Sequence, residues 1–132
     1  MKIETALILC AGRGKRLAPL TDHIPKPLLK IKNVHLLDNA LKFAQSIGIK
    51  KIKINTFYLN EKIKSFIEKK NYALNIDIIN DGPQVLDTGG GIYNLIKNSK
   101  EEDFLTLNPD TVWNSNYIRI FNEMEKIYFK NN

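Results

Sequence analysis

The hydrophobic pattern divides the chain into alternating short apolar runs and helical stripes. Thr5 to Cys10 (TALILC) is continuous and apolar, too short for a helix and of the kind found in strands buried on both faces. Leu37, Ala40, Leu41, Ala44 and Ile47 then recur at helical spacing, with Gly48 placed to stop the helix. Lys51 to Thr56 (KIKINT) alternates as a strand does, and Leu59, Ile63, Phe66 and Ile67 mark a second helix. Asn75 to Asn80 (NIDIIN) is a third strand, Gly91 to Asn98 a short helix, and Asp103 to Asn108 (DFLTLN) a fourth strand. Tyr117, Phe121, Met124 and Tyr128 define the last helix.

Strands that alternate with helices predict βαβ units, hence an α/β fold with a mostly parallel sheet and helices on both faces. In such sheets ligands bind beyond the carboxyl ends of the strands. The segments rich in Gly, Pro, Asp and Lys follow the first strand (Ala11 to Pro27), the third (Asp81 to Gly91) and the fourth (Pro109 to Asn114). All three are therefore expected on one edge. Four strands make a narrow sheet for a fold that covers both faces, so the domain is expected to be incomplete.

Composition adds bounds. The chain has 132 residues, 43% hydrophobic and 26% charged, ordinary for one soluble globular domain. No run approaches the ~18 apolar residues of a membrane helix, and Met1 to Thr5 lacks the apolar region of a signal peptide. No membrane association and a cytoplasmic location are expected. The net charge is +6, but only Arg13, Arg16 and Arg119 of the 20 basic residues are Arg. The lysines are spread along the chain, and the one dense cluster, Arg13 to Lys30, has no aromatic platform beside it. That is not the footprint of a nucleic-acid surface, so no nucleic-acid partner is expected. Cys10 is the only cysteine, which rules out an internal disulfide and suits a small buried side chain. His23 and His35 lie in unrelated settings, with no zinc-like spacing.

Three segments carry candidate chemistry. In Ala11-Gly12-Arg13-Gly14 the glycines let the backbone turn tightly and approach a ligand, and successive N–H groups can form an anion nest. Arg16 can make paired hydrogen bonds to phosphate, and Pro25 and Pro27 fix the approach of Lys26. Neither familiar phosphate loop fits: Arg16 follows Gly14-Lys15 where the Walker pattern has Ser or Thr, and Leu17 stands where the dinucleotide fingerprint has its third Gly. Asp87-Thr88-Gly89-Gly90-Gly91 reads either as a tight strand-to-helix turn or as flat backbone beside a planar base or sugar. Asp110, in Asn108-Pro109-Asp110, serves either a turn or a bound magnesium ion, Mg²⁺, which takes oxygen ligands and bridges to phosphates.

Leu9-Cys10-Ala11-Gly12-Arg13-Gly14-Lys15-Arg16-Leu17, then Pro19-Leu20-Thr21, then Pro25-Lys26-Pro27-Leu28, closely resembles the signature of sugar-1-phosphate nucleotidylyltransferases. The triple-glycine and Asn-Pro-Asp segments follow in the family's order, and the uridylyl- and guanylyl-transferring branches are the most similar. The resemblance implies a three-layer Rossmann-like fold of the nucleotide-diphospho-sugar transferase type. It implies backbone contacts from Ala11, Gly12 and Gly14 to a nucleotide, with Arg16 and Lys26 on its phosphates and at the reacting phosphorus. Gly89 and Gly90 would lie near base and ribose, Asn108 would support the nucleotide, and Asp110 would bind Mg²⁺. The implied partners are a nucleoside triphosphate, UTP or GTP, and a sugar 1-phosphate, with homo-oligomers possible through an exposed sheet edge. Two departures stand out. Cys10 replaces the family's Ala, and family domains run longer, with further strands for the sugar and a second metal-binding Asp that has no match here. Residues 1–132 are thus expected to be the N-terminal nucleotide-binding part of such a domain. The competing expectation is a triphosphate-binding module without turnover.

Overall fold

The computed structural model describes residues 1–132. Along the chain run β1 (Thr5–Leu9), β2 (Lys30–Ile31), β3 (Val34–His35), α1 (Leu36–Ser46), β4 (Lys51–Thr56), α2 (Asn60–Lys70), β5 (Asn75–Asn80), α3 (Thr88–Ile96), β6 (Leu105–Leu107) and α4 (Asn116–Asn131). Four strands form one sheet in the order β5-β4-β1-β6, and every pairing is parallel. Their carboxyl ends, at Leu9, Thr56, Asn80 and Leu107, therefore share one edge.

Alternation along β1 sends its side chains to two different layers. Ala6, Ile8 and Cys10 join a buried cluster with Leu37, Leu41 and Ala44 of α1, Ile63 and Ile67 of α2, and Phe121 of α4. Leu7 faces the other way, where α3 packs on β1 and β4 and buries Leu95. Helices thus cover both faces, but unequally, with α3 alone on the second.

That second layer explains the polar half of KIKINT. Lys53 and Asn55 are buried, not solvent-facing. The Lys53 ammonium donates to the Leu95 carbonyl at 3.3 Å and to the Ser99 hydroxyl, at the end of α3 where a cation complements the helix dipole. No helix is long and apolar enough to cross a membrane.

Three elements differ from the sequence reading. The antiparallel hairpin β2–β3 was not anticipated, because Lys32 and Asn33 take the two positive-φ turn positions (52° and 64°) that usually signal themselves as Asn-Gly. Helix α3 spans Thr88–Ile96 rather than 91–98: Asp87 caps it, its carboxylate accepting from the Gly90 N–H at 2.5 Å. Strand β6 shrinks to Leu105–Leu107, and Asp103 instead accepts from the Tyr128 hydroxyl of α4 at 2.6 Å.

Candidate functional site

The three glycine- and proline-rich segments meet beyond the carboxyl edge. They enclose a cavity of about 260 Å³ whose lining includes Gly12, Gly14 and Lys26 from the first, Thr88 from the second, and Asn108 and Asp110 from the third.

The first segment leaves β1 under control of β4: the Cys10 N–H donates to the Asn55 side-chain oxygen at 2.8 Å. Gly14 lies at φ +63°, and a Cβ there would sit 3.0 Å from Thr21 Cγ2 and 3.2 Å from Lys26 Cβ. Gly14 is thus required by the turn itself. Gly12 is different, since a Cβ would meet nothing within 4 Å. The protein's own packing does not demand glycine at position 12, but a ligand approaching the backbone there would. Ala11 is buried beneath the turn. Arg16 sits exposed on a 3-10 turn, Lys15–Leu17, and is not among the residues lining the cavity. Burial pushes the Cys10 thiol well above its ordinary pKa, so it is no thiolate nucleophile.

The second segment is rooted by a buried network. Asp81 accepts from the side-chain amides of Asn55 at 3.0 Å and Asn94 at 3.1 Å. A Cβ on Gly91 would come within 2.7 Å of the Asn55 amide nitrogen, so this glycine lets α3 lie close on the sheet. Gly89 and Gly90 form the first turn of α3 directly after Thr88, whereas the sequence pattern begins this helix at Gly91. Asp87 Oδ1 lies 2.9 Å from a Cβ built on Gly90 and 3.8 Å from one on Gly89.

In the third segment, Asp110 faces Lys26 across 84 residues of sequence, with Oδ2 2.7 Å from the ammonium. The side chains are 37% (Lys26) and 43% (Asp110) exposed, so each remains open to another partner. The backbone carrying Asp110 is clamped by Asn39, a residue to which the sequence reading gave no role. Its amide donates to the Trp113 carbonyl at 2.9 Å, and its oxygen accepts the Trp113 N–H at 2.7 Å. The Trp113 indole donates to the Asn108 carbonyl at 2.9 Å and stacks on Phe43, with centroids 5.1 Å apart. Asn39 lies on α1 among apolar neighbours, and only its polarity at a half-buried helical position could have flagged it.

This clamp gives a first prediction. Asn39→Ala lowers unfolding free energy by about 1–3 kcal/mol, because it leaves the Trp113 N–H and C=O without partners in a half-buried place. Urea denaturation followed by Trp113 fluorescence measures it, and an unchanged midpoint would show the clamp to be idle.

The donor set also bounds the metal. Asp110 is the only carboxylate in the cavity lining, and no three His, Cys, Asp or Glu residues cluster to hold an ion. An all-protein cage is therefore absent. The arrangement fits a Mg²⁺ ion that takes one carboxylate from the protein and its remaining oxygens from phosphates and water.

Residues 5–129 match the family model described as nucleotidyl transferase, and the chain belongs to that family. Among relatives it is 36% identical over 127 residues to the bifunctional protein GlmU of Methanococcus aeolicus, covering 89% of this chain and 27% of that protein. It is 32% identical to the N-acetylmuramate alpha-1-phosphate uridylyltransferase of Neisseria meningitidis, covering 88% and 51%. The structure of HddC from Yersinia pseudotuberculosis complexed with GMP-PN superposes with a TM-score of 0.77 at 26% identity, covering 92% of this chain and 54% of that one. The chain thus spans about a quarter to a half of the length of the relatives it matches.

Proposed function

We propose that this chain supplies the nucleoside-triphosphate site of a sugar-1-phosphate nucleotidylyltransferase. The observation that carries the reading is the Lys26–Asp110 pair, 2.7 Å apart, in a cavity ringed by Gly12, Gly14, Thr88 and Asn108. A cation to meet phosphate oxygens and a carboxylate to meet a metal stand side by side beneath a glycine turn with open space above it. The uridylyltransferase relative and the guanine-nucleotide complex of HddC make UTP and GTP the first ligands to try.

In the proposed reaction an oxygen of the sugar 1-phosphate attacks the α-phosphorus of the triphosphate. The bond from that phosphorus to the bridging oxygen breaks, and pyrophosphate leaves with the electron pair. The attacking phosphate is already ionised at neutral pH, so no protein nucleophile is required, in keeping with the buried Cys10. The amides of Ala11, Gly12 and Gly14 cradle the phosphates, and Lys26 offsets charge that grows at the reacting phosphorus. Arg16 reaches the phosphates from outside the cavity lining, Gly89 and Gly90 face base and ribose, and Asn108 supports the nucleotide. Mg²⁺ held by Asp110 would neutralise phosphate oxygens. Positioning and electrostatics then account for most of the rate.

The test is release of pyrophosphate from UTP or GTP with Mg²⁺ across a panel of sugar 1-phosphates. Release with one of them supports the reading. Triphosphate binding without release across the panel would establish a binding module instead, and failure to bind either nucleotide would remove the site altogether.

A further inference from the structure

The loop that runs from Gly14 to Lys26 is held from outside the cavity by Tyr58, to which the cavity reading gives no part. Tyr58 lies between β4 and α2, and its hydroxyl sits 2.7 Å from the Thr21 carbonyl and 2.9 Å from the Asp22 carbonyl. Its ring lies under the Arg13 guanidinium, 5.4 Å from carbon to centroid. Lys62, from the first turn of α2, donates to the neighbouring His23 carbonyl.

Thr21 passes this anchorage inward. It is buried, its hydroxyl donates to the Gly14 carbonyl at 2.8 Å, and its methyl closes against the side of Gly14 where a Cβ would be. Lys26 Cβ closes the same space. Backbone hydrogen bonds between Gly14 and Asp22 are local, each spanning three residues: Leu17 to Gly14, Ala18 to Lys15, Leu20 to Leu17 and Asp22 to Pro19. Such bonds shape the turn without tying it to the sheet. The contacts from Tyr58 and Lys62 supply that tie.

We infer that Tyr58 is a positioning residue for the triphosphate: acting through Thr21, it fixes the Gly14 turn and the base of Lys26, and it seats the Arg13 guanidinium. The inference rests on the triphosphate reading above. A loop of this kind costs conformational entropy to order when an anion binds, and a hydroxyl that orders it beforehand lowers that cost.

The experiment measures affinities for UTP, GTP, UMP and GMP, with Mg²⁺ present, in the wild-type chain and in Tyr58→Phe, Thr21→Val, Thr21→Ser and the Tyr58→Phe/Thr21→Val double variant. Tyr58→Phe keeps the ring and loses one hydroxyl, so triphosphate affinity falls about three- to tenfold. Monophosphate affinity falls less, and the triphosphate-to-monophosphate preference shrinks. A role confined to folding would scale all ligands alike. Thr21→Val shows the same shrinkage, Thr21→Ser restores the preference, and the double variant loses less than the sum of the two, since both act on one turn. An unchanged preference in Tyr58→Phe, or strictly additive losses, overturns the inference while leaving the triphosphate site in place. A wild-type chain that binds neither triphosphate removes both.

Discussion

Lys26→Ala weakens binding of UTP or GTP with Mg²⁺ by roughly 10- to 150-fold, while the unfolding midpoint moves little. The size follows from the contact removed. A hydrogen bond to a charged group contributes about 1.5–3 kcal/mol, and every ~1.4 kcal/mol is tenfold in affinity. Geometry supports the upper half of that range. Buried Pro25 and Pro27 flank Lys26, which opens a second 3-10 turn, Lys26–Leu28, closed by the Leu28 N–H donating to the Pro25 carbonyl at 2.9 Å. The ammonium is therefore delivered from a fixed base, and little freedom remains to be lost on binding. The fold, by contrast, owes little to this side chain: an ion pair this exposed contributes roughly 0–1 kcal/mol. Calorimetric titration beside a thermal melt separates the two. Affinity within about twofold of wild type would take Lys26 out of the site.

How much of this architecture the chain announces depends on what holds each part. Strands β1, β4 and β5 and helices α1, α2 and α4 rest on apolar periodicity, which is written locally. The convergence of Gly12, Lys26 and Asp110 follows from periodicity plus one topological rule, that parallel strands end on a common edge. The parts that escaped are those fixed by polar contacts between distant residues. Nothing near Asn39 indicates that its amide will clamp Trp113, 74 residues later. Nothing near Asn55 indicates that it will reach both Cys10 and Asp81. The start of α3 escaped for a related reason: three glycines argue against helix by propensity, and the Asp87 cap together with the close packing of Gly91 overrides it.

Asp110→Asn changes triphosphate affinity in opposite directions depending on the metal. With Mg²⁺ absent, affinity rises by up to about fivefold. The carboxylate that occupies Lys26 at 2.7 Å is gone, the ammonium is free for phosphate, and breaking an exposed pair no longer costs the roughly 0–1 kcal/mol it was worth. A negative charge facing the phosphates is removed as well. With Mg²⁺ present, affinity falls about 10- to 100-fold, because an amide oxygen replaces the one anionic protein ligand the cavity offers to a hard cation. The dependence of affinity on Mg²⁺ that the proposed site predicts for the wild-type chain flattens toward none. The fold persists, since Asn39 and the Trp113 indole hold this segment without help from the Asp110 side chain. Titrations of UTP and GTP with Mg²⁺ and with a chelator, beside a circular dichroism melt, read all of these at once. A folded variant that keeps the wild-type Mg²⁺ dependence would move the metal elsewhere. Loss of the fold would make Asp110 a turn residue whose pairing with Lys26 is incidental. The reversal of sign is the discriminating result, because loss of a carboxylate that merely braced the turn would shift affinity in the same direction with and without Mg²⁺.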